Sequence, residues 1–116
     1  MTTDANDIKA LKYISGFLDD QKAEDIKILD IRDIINITDF FVIATSFHDQ
    51  HNRACCDYLR RKLKEKDIKI FGIEGYNAGK WILIDLGFVM IHLFTLEIRE
   101  YYTLDRLYAD APRLSF

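Results

Sequence analysis

The feature that most constrains the fold is a nearly continuous apolar run, WILIDLGFVMIHLF, at residues 81–94. Each half of the run is long enough for a strand, and Gly87 between the halves tolerates the backbone conformation of a tight turn. The run therefore predicts a buried β-hairpin. Such a hairpin has no need of a tryptophan, an aspartate or a histidine, so Trp81, Asp85 and His92 are the first candidates for a function.

Alternation along the predicted hairpin separates its side chains into two faces. A two-residue turn at positions 86 and 87 gives three cross-strand pairs: Asp85 with Phe88, Leu83 with Met90, and Trp81 with His92. One face is wholly aliphatic and is expected to be core: Ile82, Ile84, Leu86, Val89, Ile91 and Leu93. The other face is apolar and aromatic, with a polar residue on each strand: Trp81, Leu83, Asp85, Phe88, Met90, His92 and Phe94.

The aromatic face of the hairpin has two interpretations. Aromatic residues and Met beside a few polar groups are typical of the centre of a protein interface, where Trp is a favoured anchor. Alternatively, helices cover both faces of the sheet and Trp81 is a core residue whose N–H finds an internal partner. The pattern alone leaves both interpretations open.

The rest of the chain predicts a single α/β domain over residues 1–116, with elements in the order αββαβββα. The predicted elements are a helix capped by Asp4, strands at 26–31 and 39–46, a helix at 47–66, a strand at 68–74, the hairpin, a helix at 96–108 and a tail at 109–116. A helix between the second and third strands indicates a crossover with parallel pairing, whereas the hairpin is antiparallel. The expected architecture is a mixed sheet of about five strands flanked by helices.

Composition excludes several classes of protein. A net charge of −3 and a pI near 5.5 argue against a broad phosphate-binding surface. No apolar run approaches the ~18 residues of a membrane-spanning helix, and the first residues are unlike a signal peptide, so we expect a cytoplasmic protein without membrane association. The adjacent Cys55 and Cys56 fit small core residues in a reducing compartment.

The sequence contains no convincing catalytic, metal or cofactor site. His48 and His51 have helical spacing, but zinc needs one or two further ligands, and the pair is better interpreted as solvated histidines at the start of a helix. Three aspartates in or near strands form no Asp-x-Asp pair: Asp30, Asp39 and Asp85. The glycines match neither a dinucleotide-binding motif nor a phosphate-binding loop, and no Gly-x-Ser-x-Gly motif occurs.

Five segments in order resemble the ribosomal silencing factors, also called the Iojap or RsfS family: AEDIKILDIRD, ITDFFVIATS, GIEGYNAGKWILIDLG, VMIHLF and REYYTLDRLYADAP. The resemblance extends from about residue 23 to residue 112. Three positions depart from the family pattern. Phe88 replaces the usual Asp after the hairpin glycine, Tyr108 replaces Trp, and His48 replaces Ser or Asn.

The resemblance implies a domain shaped like a nucleotidyltransferase without the catalytic signature of those enzymes. It also implies binding to the large ribosomal subunit through one basic ribosomal protein on the subunit-joining face, the one traditionally numbered fourteen. Occupying that place blocks the small subunit and represses translation when nutrients are short. An acidic protein suits a basic partner, and little direct contact with nucleic acid is expected.

The family's partner-binding residues map onto two parts of this chain. In the region of the fourth strand they are Gly75, Tyr76, Trp81, Leu83 and Asp85. In the closing segment they are Tyr101, Tyr102, Leu104 and Asp110, of which the tyrosines also fit a core role. Two rival functions stay open: a divergent metal-dependent nucleotidyltransferase that uses the three aspartates, and a homodimer formed through the face that carries Trp81.

Overall fold

The computed structural model describes residues 4–116, which form four helices and six strands. In chain order the elements are α1 (Ala5–Asp20), β1 (Glu24–Asp30), β2 (Phe40–Ser46), α2 (Asp49–Glu65), β3 (Gly72–Glu74), β4 (Trp81–Asp85), β5 (Val89–Thr95), α3 (Leu96–Tyr102), α4 (Leu104–Leu107) and β6 (Arg113–Leu114). Asp4 caps α1 as predicted, because its side chain accepts a hydrogen bond from the backbone N–H of Asn6.

All six strands belong to one mixed sheet in the order β3-β4-β5-β2-β1-β6. β2 and β5 lie side by side and are parallel, and the other neighbours are antiparallel. The crossover that contains α2 makes this parallel pair possible, since parallel strands need a long connection. Every residue of the central strand β2 is buried. The predicted mixed sheet with flanking helices is therefore confirmed.

The two sides of the sheet carry separate cores. α1 and α2 cover the first sheet face with a continuous aliphatic cluster that includes Leu11, Ile14, Cys55, Cys56 and Leu59. Both cysteines are free and buried, and burial raises the pKa of each thiol to about 11, so they are inert core residues as predicted. α3, α4 and the C-terminal segment cover part of the second sheet face over a smaller cluster: Leu29, Ile31, Phe41, Ile43, Phe94 and Ala111.

Most predicted elements agree with the structure to within two residues at each end, and three differ by more. The final helix is not continuous over 96–108, because Thr103 adopts a left-handed backbone (φ 52°) that separates α3 from α4. The tail at 109–116 contributes β6, so the sheet has six strands rather than about five. The strand predicted at 68–74 begins only at Gly72, since Gly72 already pairs with Asp85, the last residue of its partner β4.

The hairpin turns one residue later than predicted. Asp85 pairs with Met90 and Trp81 with Phe94, so the turn residues are Gly87 and Phe88. Gly87 has a φ of +84° and its N–H donates to Asp85 Oδ1 at 2.8 Å, while Thr38 Oγ1 donates to its carbonyl oxygen at 2.8 Å. The partners shift by two positions, which keeps the predicted faces of both strands. Phe88 is the exception, because it packs against the first core rather than lying on the aromatic face.

Candidate functional site

The β3–β4 end of the second sheet face is open to solvent. α3 packs mainly against β5 and β2, so it leaves the side chains of β4 only partly covered. Trp81, Leu83, Asp85 and Met90 are all half-buried there, and Glu74 is exposed beside Leu83 on the paired strand. We call these five residues the open sheet face. Trp81, Leu83, Asp85 and Met90 belong to the aromatic face that the alternation of the hairpin predicts, whereas His92 and Phe94 of that face are buried.

The surroundings of Trp81 combine features of both interpretations, the interface anchor and the core residue. Its ring centroid is 4.9 Å from that of Phe94 and 4.9 Å from that of Tyr102, and its Nε1 donates to His92 Nδ1 at 3.2 Å. The indole is therefore held in one orientation by its neighbours while part of its surface stays accessible. A fixed, partly exposed aromatic ring is the geometry of an interface anchor, because little conformational entropy remains to be lost on binding.

His92 supports Trp81 from within the core. Its side chain is 6% exposed, and burial lowers its pKa to about 4, so the imidazole is neutral at pH 7. Since Nδ1 accepts the indole proton, Nε2 carries the imidazole hydrogen. Nε2 has no hydrogen-bond partner among the described residues, and the ring packs edge-on against Phe41 with centroids 4.5 Å apart. These contacts give His92 a structural role in orienting Trp81.

A buried arginine fixes the elements that border the open sheet face. Arg99 in α3 is 5% exposed and donates to Asp105 of α4 at 3.0 Å, to the carbonyl oxygen of Asp25 at 2.7 Å and to Thr45 Oγ1 at 2.6 Å. Lys27 also donates to Asp105 at 2.9 Å, and the two cations hold the pKa of that carboxyl well below its usual range. This network bridges the break at Thr103 and thereby positions α3. Sequence reasoning missed it because the partners of Arg99 on β1 and β2 are distant in the chain.

The exposed side of α3 forms the rim of the open sheet face. Tyr101 is 78% exposed and Tyr102 is 49% exposed, with ring centroids 5.0 Å apart. Together with Ile98, Glu97 and Glu100 they line a shallow cavity of about 600 Å³. The rim and the open sheet face therefore combine aromatic rings with four carboxylates: Glu74, Asp85, Glu97 and Glu100.

The other family-derived site residues are not all brought to this place. Gly75 has a φ of +81°, and a Cβ there would lie 2.1 Å from the carbonyl oxygen of Trp81, so only glycine fits the backbone beside the anchor. Tyr76 instead packs on the first core and donates its hydroxyl proton to Asp57 of α2 at 2.9 Å. Leu104 packs against the second core, and Asp110 is exposed beyond α4.

Three of the side chains considered for chemistry have structural contacts: His48, His51 and Asp30. His48 caps α2 by accepting from the N–H of His51 at 3.1 Å, and His51 in turn bonds Phe47 and Gln21. Asp30 pairs with Arg32, which lowers the pKa of its carboxyl. Within residues 4–116, no three Cys, His, Asp or Glu side chains are placed to hold a metal ion. None of the helices in that range has the length and apolar character needed to cross a membrane.

Comparison with known proteins gives one family. The family model described as "Ribosomal silencing factor during starvation" matches residues 4–116. The chain is 35% identical over 107 residues to the ribosomal silencing factor RsfS of Bacillus subtilis, covering 92% of this chain and 91% of that protein. It is 33% identical over 101 residues to mouse "Mitochondrial assembly of ribosomal large subunit protein 1", covering 84% of this chain and 44% of that protein.

Solved structures show the same fold. A crystal structure of a Chromobacterium violaceum protein superposes with a TM-score of 0.84 at 29% identity, covering 98% of this chain and 92% of that one. A crystal structure from Bacillus halodurans gives a TM-score of 0.81 at 32% identity, covering 93% and 98%. The similarity in both sequence and fold thus extends over nearly the whole chain.

Proposed function

The chain belongs to the family of ribosomal silencing factors, and from that premise we propose that it binds the large ribosomal subunit and prevents the small subunit from joining. The family model covers the described residues in full. The mouse relative names the large ribosomal subunit in its own description. We propose that the present protein recognises that subunit directly and acts by occupying its joining face, without catalysis.

The open sheet face is the observation that carries this proposal. It offers a fixed aromatic anchor in Trp81 and apolar contact area in Leu83 and Met90, and together with its rim it carries four carboxylates. An aromatic and apolar centre with a charged rim is the composition of a protein interface. Because the charged groups are acidic, the fitting partner is a basic protein, and we propose the basic ribosomal protein on the joining face that is traditionally numbered fourteen.

Steric exclusion is a sufficient mechanism for a factor of this size. The molecule measures 38 × 34 × 24 Å along its principal axes, so even its shortest dimension adds 24 Å to the surface that it covers. If a body of this size covers a point where the two subunits must touch, it holds them apart at that point. Repression then requires only that the factor stay bound, and no nucleotide needs to be consumed.

Sedimentation through a sucrose cushion tests the proposal. The protein should pellet with isolated large subunits but not with small subunits, and it should reduce subunit joining in proportion to its occupancy without added nucleotide. Leu83→Arg places a cation at the centre of the open sheet face and should abolish pelleting. Phe116→Arg adds the same charge at an exposed apolar position near α1 and should bind like the parent. Joining that is blocked only during ATP or GTP hydrolysis would favour an enzyme instead.

A further inference from the structure

The C-terminal half of α2 and the residues after it form a strongly basic region in an acidic protein. Residues 60–69 contain six cations and two carboxylates, whereas the other 106 residues contain 10 cations and 17 carboxylates. We call the six cations the basic surface: Arg60, Arg61, Lys62, Lys64, Lys66 and Lys69. Five of them are exposed, and Lys62 is half-buried. The modest net charge of the chain conceals this separation.

Folding alone does not account for the basic surface. Arg60 and Lys64 are four residues apart on α2, where like charges destabilise each other. Lys62 and Lys64 lie in the last turn of α2 and interact favourably with the helix dipole, but Arg60 precedes that turn and Lys69 follows the helix. Within residues 4–116, only Lys62 of the six has a carboxylate within ion-pair distance, at 3.5 Å from Glu65.

The cations are arranged around a groove and over aromatic rings. Arg60, Lys64 and Lys69 line a groove of about 570 Å³ between α2 and the segment before β3. Its lining also includes the apolar Ile68 and Ile70 and one carboxylate residue, Asp67. On the other side of α2, three cations lie over aromatic rings at 4.5 to 5.5 Å from the centroids: Arg61 and Lys62 over Tyr58, and Lys66 over Tyr13. Aromatic contacts hold a cation in place without neutralising its charge.

We propose that the basic surface binds the phosphate backbone of structured RNA while the open sheet face binds its protein partner. α2 packs on the first sheet face and the open sheet face lies on the second, so the two surfaces are on opposite sides of the sheet and can be occupied together. Unpaired cations along a groove match a ridge of phosphates, and such contacts need no base recognition. The identity of this polyanion as ribosomal RNA rests on the proposed function. It replaces the expectation of little contact with nucleic acid.

Binding of a labelled RNA duplex of about 20 base pairs, followed by fluorescence anisotropy, tests the basic surface by itself. Three phosphate contacts predict that the parent loses about 40-fold in affinity between 50 and 200 mM salt. The variant Arg60→Gln/Lys64→Gln/Lys69→Gln should bind at least about tenfold more weakly at the lower salt, with little salt dependence left. The control Lys12→Gln/Lys22→Gln/Arg113→Gln removes the same charge from exposed positions elsewhere and should behave like the parent.

Pelleting with large subunits then separates this inference from the proposed function. If the parent pellets and the glutamine variant of the groove pellets less tightly, with a smaller salt dependence, both proposals are supported. If that variant pellets like the parent, the RNA contact is wrong and the proposed function stands. If the parent fails to pellet at all, the proposed function is wrong, and the duplex titration still decides whether the groove binds RNA. If the parent binds phosphatidylserine vesicles but not the RNA duplex, and the glutamine variant of the groove loses vesicle binding, the inference is overturned in favour of a membrane surface.

Discussion

Replacing Trp81 by phenylalanine is expected to destabilise the protein by more than the smaller ring alone would. Phenylalanine keeps a ring against Phe94 and Tyr102 but removes the indole N–H that His92 Nδ1 accepts at 3.2 Å. Because Nε2 of this buried histidine already lacks a partner within the described residues, the substitution leaves both ring nitrogens unpaired. A buried polar atom without a partner costs about 1–3 kcal/mol.

The substitution His92→Phe provides the matched comparison. It removes both buried nitrogens and leaves the N–H of Trp81 at a half-buried position that water can reach. We expect Trp81→Phe to lower the free energy of unfolding by about 2 kcal/mol, which corresponds to a fall in Tm of about 8 °C for a chain of this length. The double variant should be more stable than the sum of the two single losses predicts, by at least about 1 kcal/mol.

Urea unfolding followed by circular dichroism measures all four proteins with one probe that does not depend on tryptophan. The m values should agree within error, so that differences in midpoint report stability alone. If the two single losses add to within about 0.5 kcal/mol of the double variant's loss, the hydrogen bond does not hold Trp81, and the description of a pre-oriented anchor is wrong.

Three further predictions concern the same part of the molecule. Trp81→Ala should weaken large-subunit binding about thirtyfold, or about 2 kcal/mol, in pelleting assays. Urea unfolding should show a loss of stability below the roughly 3–5 kcal/mol expected for a fully buried tryptophan. If the folded variant binds like the parent, Trp81 is not an anchor. Lowering the pH from 7 to 5 should reduce the unfolding free energy of the parent by about 2 kcal/mol more than that of His92→Phe. In the unfolded chain the histidine takes up a proton near its ordinary pKa of 6.5, whereas burial lowers the pKa in the folded protein to about 4. If the parent and His92→Phe lose the same stability between pH 7 and pH 5, this explanation is wrong. Gly75→Ala should lower the free energy of unfolding by at least about 2 kcal/mol in the same urea assay. Gly16→Ala, where a Cβ meets nothing within 4 Å, should be neutral or stabilising. Similar losses in both variants would show that the contact between Gly75 and Trp81 is not tight.

Alternation in the hairpin predicts which side chains share one side of the sheet, because burial on one side of a strand repeats every two residues. The aliphatic side of β4 and β5 is buried against α1 and α2, and Trp81, Leu83 and Asp85 share the other side, as the sequence predicts. The predicted pairing was wrong by one turn position. The observed turn has a local contact between Gly87 and Asp85 and a contact between Gly87 and Thr38, which are 49 residues apart. Long-range contacts of this kind leave no local pattern.

The break between α3 and α4, which borders the candidate site, also could not be predicted from local sequence, because it depends on long-range contacts. The spacing of Tyr101 and Leu104 is compatible with one continuous helix, but Thr103 interrupts it and α4 turns away. The interruption is stabilised by Arg99, whose partners lie on β1 and β2 as well as on α4. Tyr76 shows the converse case, since it is adjacent to Gly75 in the sequence but contacts α2 on the opposite side of the sheet.

The distribution of charge along the chain suits the two partners that we propose, a basic protein and RNA. If the net charge of −3 were spread evenly, it would predict repulsion from RNA. Instead, six cations are concentrated at residues 60–69. Four carboxylates lie at the open sheet face and its rim: Glu74, Asp85, Glu97 and Glu100. At physiological salt, charges interact over about 8 Å, so a surface responds to its local charge and not to the total. A basic ribosomal protein and RNA have opposite charges, so a factor that uses both proposed surfaces would bind in one orientation. We therefore expect the salt dependence of large-subunit binding to fall when either surface is neutralised.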